Sequence, residues 1–148
     1  MHIQEATIED IPVLCELLQI LFSKEVEFIP NITVQKNALE MIVRNEEIGK
    51  IFVLKKEDKT IGMVSLLFSI STALGGKVAW LEDMIVNPMY HNQGGGTQLL
   101  RHAIAYAKKL TCKRITLLTD ESNSEAKRFY KRFGFEESVM KPMRIIFQ

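Results

Sequence analysis

The chain has little with which to make covalent cross-links, and almost no net charge. Its two cysteines, Cys15 and Cys112, are too few for a disulfide framework or a thiolate metal cluster. They fall in a segment that reads as helix and at a helix end, where a thiol is a buried or incidental side chain. A net charge of +1 gives no basic footprint for nucleic acid. The longest apolar run, residues 62–70, is far short of a bilayer span. Met1-His2-Ile3-Gln4-Glu5 lacks the basic start and apolar centre of a signal peptide. A reduced, cytoplasmic setting is expected, with neither nucleic acid nor membrane as partner. No repeat, linker or low-complexity tract interrupts the chain. What remains is ordinary: 47% hydrophobic and 25% charged residues over 148 positions, enough for one domain, residues 1–148, with a real core.

The charge is unevenly spread. Residues 1–50 carry nine acidic and four basic side chains, residues 51–100 four of each, and residues 101–148 five and eleven. An acidic first third and a basic last third suit a protein that binds a cation at one end and an anion at the other. The solvated faces of amphipathic helices account for the same pattern.

The stretch that organises the chain is residues 80–110. An apolar strand, 80–86, is broken by Asn87-Pro88, and after a short loop come Gly94, Gly95 and Gly96. Leu99, Leu100, Ala103, Ile104, Ala107 and Leu110 then follow at helical spacing, with Gln98, Arg101, His102, Lys108 and Lys109 on the polar side. The first amides of a helix lack internal partners and point along the positive end of its dipole. Glycines permit the turn and let a charged group come close. Strand, glycine loop and helix together make an anion site suited to phosphate or pyrophosphate, although a flexible turn between two core elements has the same letters. A dinucleotide loop would need glycine where Leu99 stands, and no Gly-Lys-Ser/Thr follows for an ATP loop.

Around this stretch the periodicities predict a short strand at 3–6 and, with Thr7 as N-cap, a helix over 8–22. Thr33 is expected to cap a second helix to about Asn45, with Val34, Ala38, Met41 and Ile42 inward. Residues 22–32 mix Phe22, Glu25, Glu27 and Phe28, a set able to line an amine pocket or simply to anchor a surface connection. Strands at 50–56 and 60–71 are joined by Glu57-Asp58-Lys59, and a third at 77–86 follows the Gly75-Gly76 turn. The nearly all-apolar run 114–119 reads as a parallel strand buried on both faces. Ser124 caps a helix to Phe133, with Ala126, Phe129, Tyr130 and Phe133 inward and Gly134 as stop. Two last strands are expected at 135–139 and 143–147.

Two motifs in register carry a resemblance. The loop His91-Asn92-Gln93-Gly94-Gly95-Gly96 is similar to the acyl-CoA pyrophosphate loop of the GNAT superfamily of N-acetyltransferases, Gln/Arg-x-x-Gly-x-Gly/Ala. The later run Asn123-x-x-Ala126-x-x-Phe129-Tyr130-x-x-x-Gly134-Phe135 resembles that superfamily's second block. The resemblance covers the chain and implies an α/β sandwich with one mixed, mostly antiparallel sheet of six to seven strands and about four helices. The chain departs from the pattern at His91, which stands where the superfamily has Arg or Gln. That departure implies weaker CoA binding, or binding that tightens as His91 protonates.

By the same resemblance the co-substrate is acetyl-CoA, with no metal. Backbone groups of Met84, Ile85 and Val86 pair with its pantetheine arm as an added strand would. Amides of Gln93, Gly94, Gly95, Gly96 and Thr97, with His91 and Asn92 in the loop, hold the pyrophosphate. Asn123 steadies the cofactor arm, or only satisfies the start of its own helix. Tyr130 matches the general acid, or is a core tyrosine. Glu82 matches a glutamate that deprotonates the amine through water, or pairs structurally with a lysine. Glu82 and its neighbour Asp83 should face opposite ways on a regular strand, so only one can look into a given cleft. Burial is expected to make Glu82 a better base, unless its main role is to attract the cation. The oxyanion donor is the amide of Ile85 or Val86. The implied activity is transfer of acetyl from acetyl-CoA to a primary amine, small or polyamine-like, by an enzyme with a possible homodimer state. A protein or peptide N-acetyltransferase and a non-catalytic acyl-CoA-binding regulatory domain are the alternatives.

Overall fold

The computed structural model describes residues 1–24 and 31–147. Two compact units divide them, Met1–Leu118 and Thr119–Gln148. In the first unit the order is β1 (His2–Glu5), a 3-10 turn (Ile8–Asp10), α1 (Ile11–Phe22), α2 (Ile32–Val43), β2 (Gly49–Lys56), β3 (Lys59–Ser71), β4 (Gly76–Val86), a 3-10 turn (Pro88–Tyr90), α3 (Gly95–Lys109) and β5 (Ile115–Leu117). The strands lie side by side in sequence order as one five-stranded sheet, antiparallel except for the parallel pair β4–β5.

Each face of the sheet is covered by different helices. On one face Ile51, Val53 and Met63 meet Ile11, Leu14, Leu17, Leu18 and Leu39 of α1 and α2, with Ile85 packed against the cluster. On the other, the Phe52 ring meets His102 and Tyr106 of α3 edge-on, at 4.5 and 5.1 Å. Burying one Leu or Phe stabilises by about 1.5–3 kcal/mol, against tenths for helix propensity, so these stripes set the layers. The second helix shows the difference between apolar letters and an apolar face. Leu39, with Ile42 and Val43, turns inward, whereas Val34, Ala38 and Met41 are exposed. Its cap is Asn31, whose Oδ1 accepts from Val34 N–H at 3.3 Å, rather than Thr33. Of the expected amine-pocket residues, Glu25, Glu27 and Phe28 lie outside the described residues, and Phe22 packs at the edge of the core.

Ion pairs tie the first strands to the helices. Lys50 is buried yet bonds Glu46 at 2.9 Å and Glu5 at 3.3 Å. Burial works against its charge, but the two carboxylates outweigh it and raise its pKa above the ordinary lysine value. Lys55 pairs with Asp10 at 3.2 Å, and Asp10 also accepts from Thr7 N–H at the start of the first helix.

In the second unit α4 (Ser124–Lys131) is capped by Asn123, not Ser124, through Ala126 N–H to Asn123 Oδ1 at 3.0 Å. Glu137, just past the helix, bonds Lys131 and Lys127, which hold its carboxyl down at about 2. The two last strands are not formed, so the sheet has five strands rather than six or seven. Val139, Met140, Met143, Ile145, Ile146 and Phe147 are each at least 80% exposed. Alternation of apolar and polar residues makes a strand only where another strand offers its edge, and among the described residues none pairs with 135–147.

The hairpin β2–β3 is closed by Glu57 and Asp58, opposite ends Lys56 and Lys59 being paired, with φ of 50° and 63°. Both central residues are left-handed, as a two-residue turn of primed type requires, and neither is the Asn-Gly that this turn prefers. Replacing them (E57N with D58G) should stabilise the fold by about 1 kcal/mol, read as a higher urea midpoint at unchanged slope. A loss of stability would mean that the two acidic side chains make contacts worth more than the backbone strain.

Candidate active site

The second half of β4 keeps only one of its two neighbours. Its parallel ladder with β5 covers Ala79, Trp80 and Leu81 and then stops. From Met84 to Val86 its registered strand partner among the described residues is β3, through Val64, Met63 and Gly62. Asn87 N–H donates to Ile61 O at 2.7 Å. In an antiparallel ladder bonded and non-bonded pairs alternate. Ile85 therefore spends its amide and carbonyl on Met63, while those of Val86 point to the other edge. Of the two expected oxyanion donors, Val86 is the one aimed into the opening.

At the mouth of this opening β4 bulges. Val64 pairs with Met84 but Leu66 with Leu81, so Glu82 and Asp83 together oppose Ser65. The buried Ser65 hydroxyl accepts from Asp83 N–H at 3.1 Å, satisfying the amide that the bulge takes out of the ladder. The extra residue changes the facing. Leu81 and Met84 share the α3 face with Leu66 and Val64, so Glu82 and Asp83 both lie on the face of α1. Regular alternation put them on opposite sides; the bulge puts both carboxylates on the same one. Glu82 is exposed and Asp83 half-buried, so the burial expected to sharpen Glu82 as a base is absent.

The glycine loop is built as its sequence implies. Asn87 Oδ1 accepts from Met89 N–H at 3.0 Å, starting the 3-10 turn. Asn92 and Gly94 then adopt positive φ, 60° and 83°. Gly94 is the left-handed N-cap of α3, a conformation costly for any residue with a Cβ. At Gly95 the constraint is space: a Cβ would come within 2.7 Å of Leu54 Cδ2. Gln98 N–H is bonded to Gly94 O. Those of Gly95, Gly96 and Thr97 precede the helical ladder and face out from its positive end. No acidic residue occupies this first turn, while Lys108 and Lys109 sit in the last. One residue here was not foreseen. Lys56, the end of β2, donates from Nζ to Gln93 Oε1 at 2.6 Å and lies 5.5 Å from the centre of the Tyr90 ring. A lysine at a strand end carries no sequence signal for such a role.

In the second unit Tyr130 stacks edge-on between Phe129 and Phe135, at 5.3 and 5.7 Å. Burial pushes its phenol above the ordinary tyrosine value, so it is a proton donor throughout the neutral range. Asn123 is engaged as a helix cap through its carbonyl oxygen. Burial also raises both free thiols, Cys15 and Cys112, which suits packing rather than nucleophilic work. Among the described residues no three His, Cys, Asp or Glu side chains gather in a metal-sized group. No helix among them is long and apolar enough to cross a membrane.

A strand with a freed edge, a bulge at its opening and a glycine-capped helix beyond it lie together in the first unit, and sequence comparison shows the family. The chain belongs to the acetyltransferase (GNAT) family, whose profile matches residues 12–135. An uncharacterised N-acetyltransferase of Methanocaldococcus jannaschii is 35% identical over 97 residues, 65% of this chain and 42% of that protein. The spermine/spermidine N(1)-acetyltransferase of Bacillus subtilis is 38% identical over 58 residues, 38% of each chain. The fold matches the crystal structure of a probable acetyltransferase with a TM-score of 0.83, over all of this chain and 99% of the other, at 24% identity. The chain spans between 38% and 60% of the length of the first curated relatives it matches.

Gly94 allows a test of the loop without any ligand. Nothing lies within 4 Å of a Cβ built there, so Gly94→Ala should cost about 1–2 kcal/mol through the backbone alone. Gly94→Asn, which tolerates left-handed angles better, should cost less. Equal losses in urea unfolding would point to lost space instead.

Proposed function

We propose that this protein moves the acetyl group of acetyl-CoA directly to a primary amine through a ternary complex, with a small or polyamine-like amine as acceptor. The observation that carries the reading is the freed edge of β4 beside the positive end of α3, both within one unit. The residues suit the co-substrate. An edge with an outward amide and carbonyl at Val86 can take the amide-rich pantetheine arm as an added strand. The amides of Gly95, Gly96 and Thr97, with no carboxylate near, suit a pyrophosphate. His91 and Asn92 flank it in the loop, and the side-chain amide of Asn123 remains a donor for the arm.

Acetyl-CoA, when bound, supplies an acetyl group on a thiolate leaving group. The protein has three tasks around it. Val86 N–H donates to the thioester oxygen as negative charge grows there. Glu82, exposed beside Asp83 on the same face, draws the ammonium and accepts its proton through water, leaving the nitrogen lone pair free to attack the carbonyl carbon. Tyr130, the match to the family's acid, gives its phenolic proton to sulfur as the carbon–sulfur bond breaks; the nitrogen sheds its second proton to water, and the phenolate regains one from solvent. The paired carboxylates favour a cationic amine.

Thiol release from acetyl-CoA against polyamines, amino sugars and peptides tests the reaction. Release with one amine class supports the enzyme; release with peptides alone makes it a peptide acetyltransferase. A rise in melting temperature with acetyl-CoA but no release from any acceptor would indicate a sensor domain. Tyr130→Phe should lower kcat about 100-fold while acetyl-CoA still raises the melting temperature. The pH dependence has a definite sign. Burial raises the phenol's pKa, so its proton is retained below the ordinary value of about 10 and lost only above it. The alkaline fall in kcat assigned to Tyr130 should therefore be centred above the ordinary tyrosine value and vanish in the Phe variant. Glu82→Gln should raise KM for the amine more than it lowers kcat.

A further inference from the structure

We infer that Lys56 completes the pyrophosphate site, supplying from β2 the fixed cation that the loop lacks at His91. This rests on the acetyl-CoA reading above and extends it to a residue outside both family motifs. β2 carries three lysines, and they differ in their partners. Lys50 is neutralised by Glu46 and Glu5, and Lys55 by Asp10. Lys56 alone of the three makes no ion pair among the described residues. Its recorded partners are neutral, the Gln93 side-chain oxygen at 2.6 Å and the Tyr90 ring at 5.5 Å. Both partners belong to the glycine loop, and Gln93 directly precedes the N-cap Gly94.

The electrostatics of this arrangement are unfavourable without a ligand. Helix dipoles favour anions at the N-terminus and cations at the C-terminus. Here a lysine is fastened near the positive end of α3, and the first turn offers no acidic residue to offset it. An anion bearing two charges reverses the balance. A pyrophosphate would meet the amides of the first turn and the Lys56 ammonium together. An ammonium has three N–H donors, and only one is spent on Gln93. The hydrogen bond to Gln93 and the Tyr90 ring hold the head group in place, reducing the side-chain entropy lost on binding.

Isothermal titration of the purified protein with CoA and with 3′-dephospho-CoA tests this directly. Lys56→Met should weaken both ligands alike, by about tenfold, with its unliganded melting temperature unchanged. Lys56→Arg should recover most of the affinity. The variant should also show a shallower loss of affinity with added salt than the wild type, because one charge has left the site. Gln93→Ala should weaken binding less than Lys56→Met, since it frees the ammonium without removing it. Wild-type affinity in Lys56→Met, or a loss confined to CoA bearing its 3′-phosphate, overturns the assignment to the pyrophosphate and leaves the acetyl-CoA reading standing. No binding of CoA by the wild type overturns both.

Discussion

Among the described residues the backbone of β4 has a registered strand on both edges at three of its eleven positions, Ala79, Trp80 and Leu81. The features of the site in the first unit follow from where that double satisfaction ends. Beyond Leu81 no registered strand stands on that edge among the described residues, and an outward amide and carbonyl such as those of Val86 take water or a ligand, since a dry unpaired group costs on the order of a lost hydrogen bond. The bulge at Glu82 and Asp83 is the local answer to the transition, and the Ser65 hydroxyl absorbs the amide it displaces. An open strand edge also invites pairing with another chain. Two carboxylates at its mouth discourage that, so the side chains proposed to draw an amine would also protect the edge proposed for the arm.

Polar residues inside the sheet are arranged by the same economy. Ser65 is buried because the bulge needs an acceptor there. Lys50 is buried because two carboxylates, from β1 and from the turn after α2, accompany it. Neither is part of the chemistry. What separates them from Lys56 is the partner: a lysine with a carboxylate is architecture, and one held by an amide oxygen and an aromatic ring keeps its charge for something else.

How much of this was legible beforehand depended on whether the deciding interaction was local. The glycine loop could be read because Gly94 answers a backbone angle and Gly95 a close approach, both properties of the residue itself. The strand order and the parallel return of β5 followed from short connections and an apolar run. The facing of Glu82 and Asp83 could not be read, because it turns on a register shift against a strand some eighteen residues earlier. Val34, Ala38 and Met41 mislead for a related reason: their spacing is helical, but Leu39 and Ile42 offer a rival face and only the sheet decides between them. Alternation at 135–147 failed because a strand needs a partner edge, and among the described residues none pairs with it. Lys56 reaches its loop across thirty-seven residues, and no local pattern marks it.

The exposed apolar side chains after α4 have a thermodynamic consequence. The heat capacity of unfolding comes chiefly from apolar surface that enters water when the chain opens. Val139, Met140, Met143, Ile145, Ile146 and Phe147 are already there, so unfolding adds little hydration at these positions. The isolated chain should therefore show the heat-capacity increment and denaturant slope of a shorter protein. Its stability curve against temperature would be correspondingly flatter than 148 residues of this hydrophobicity suggest.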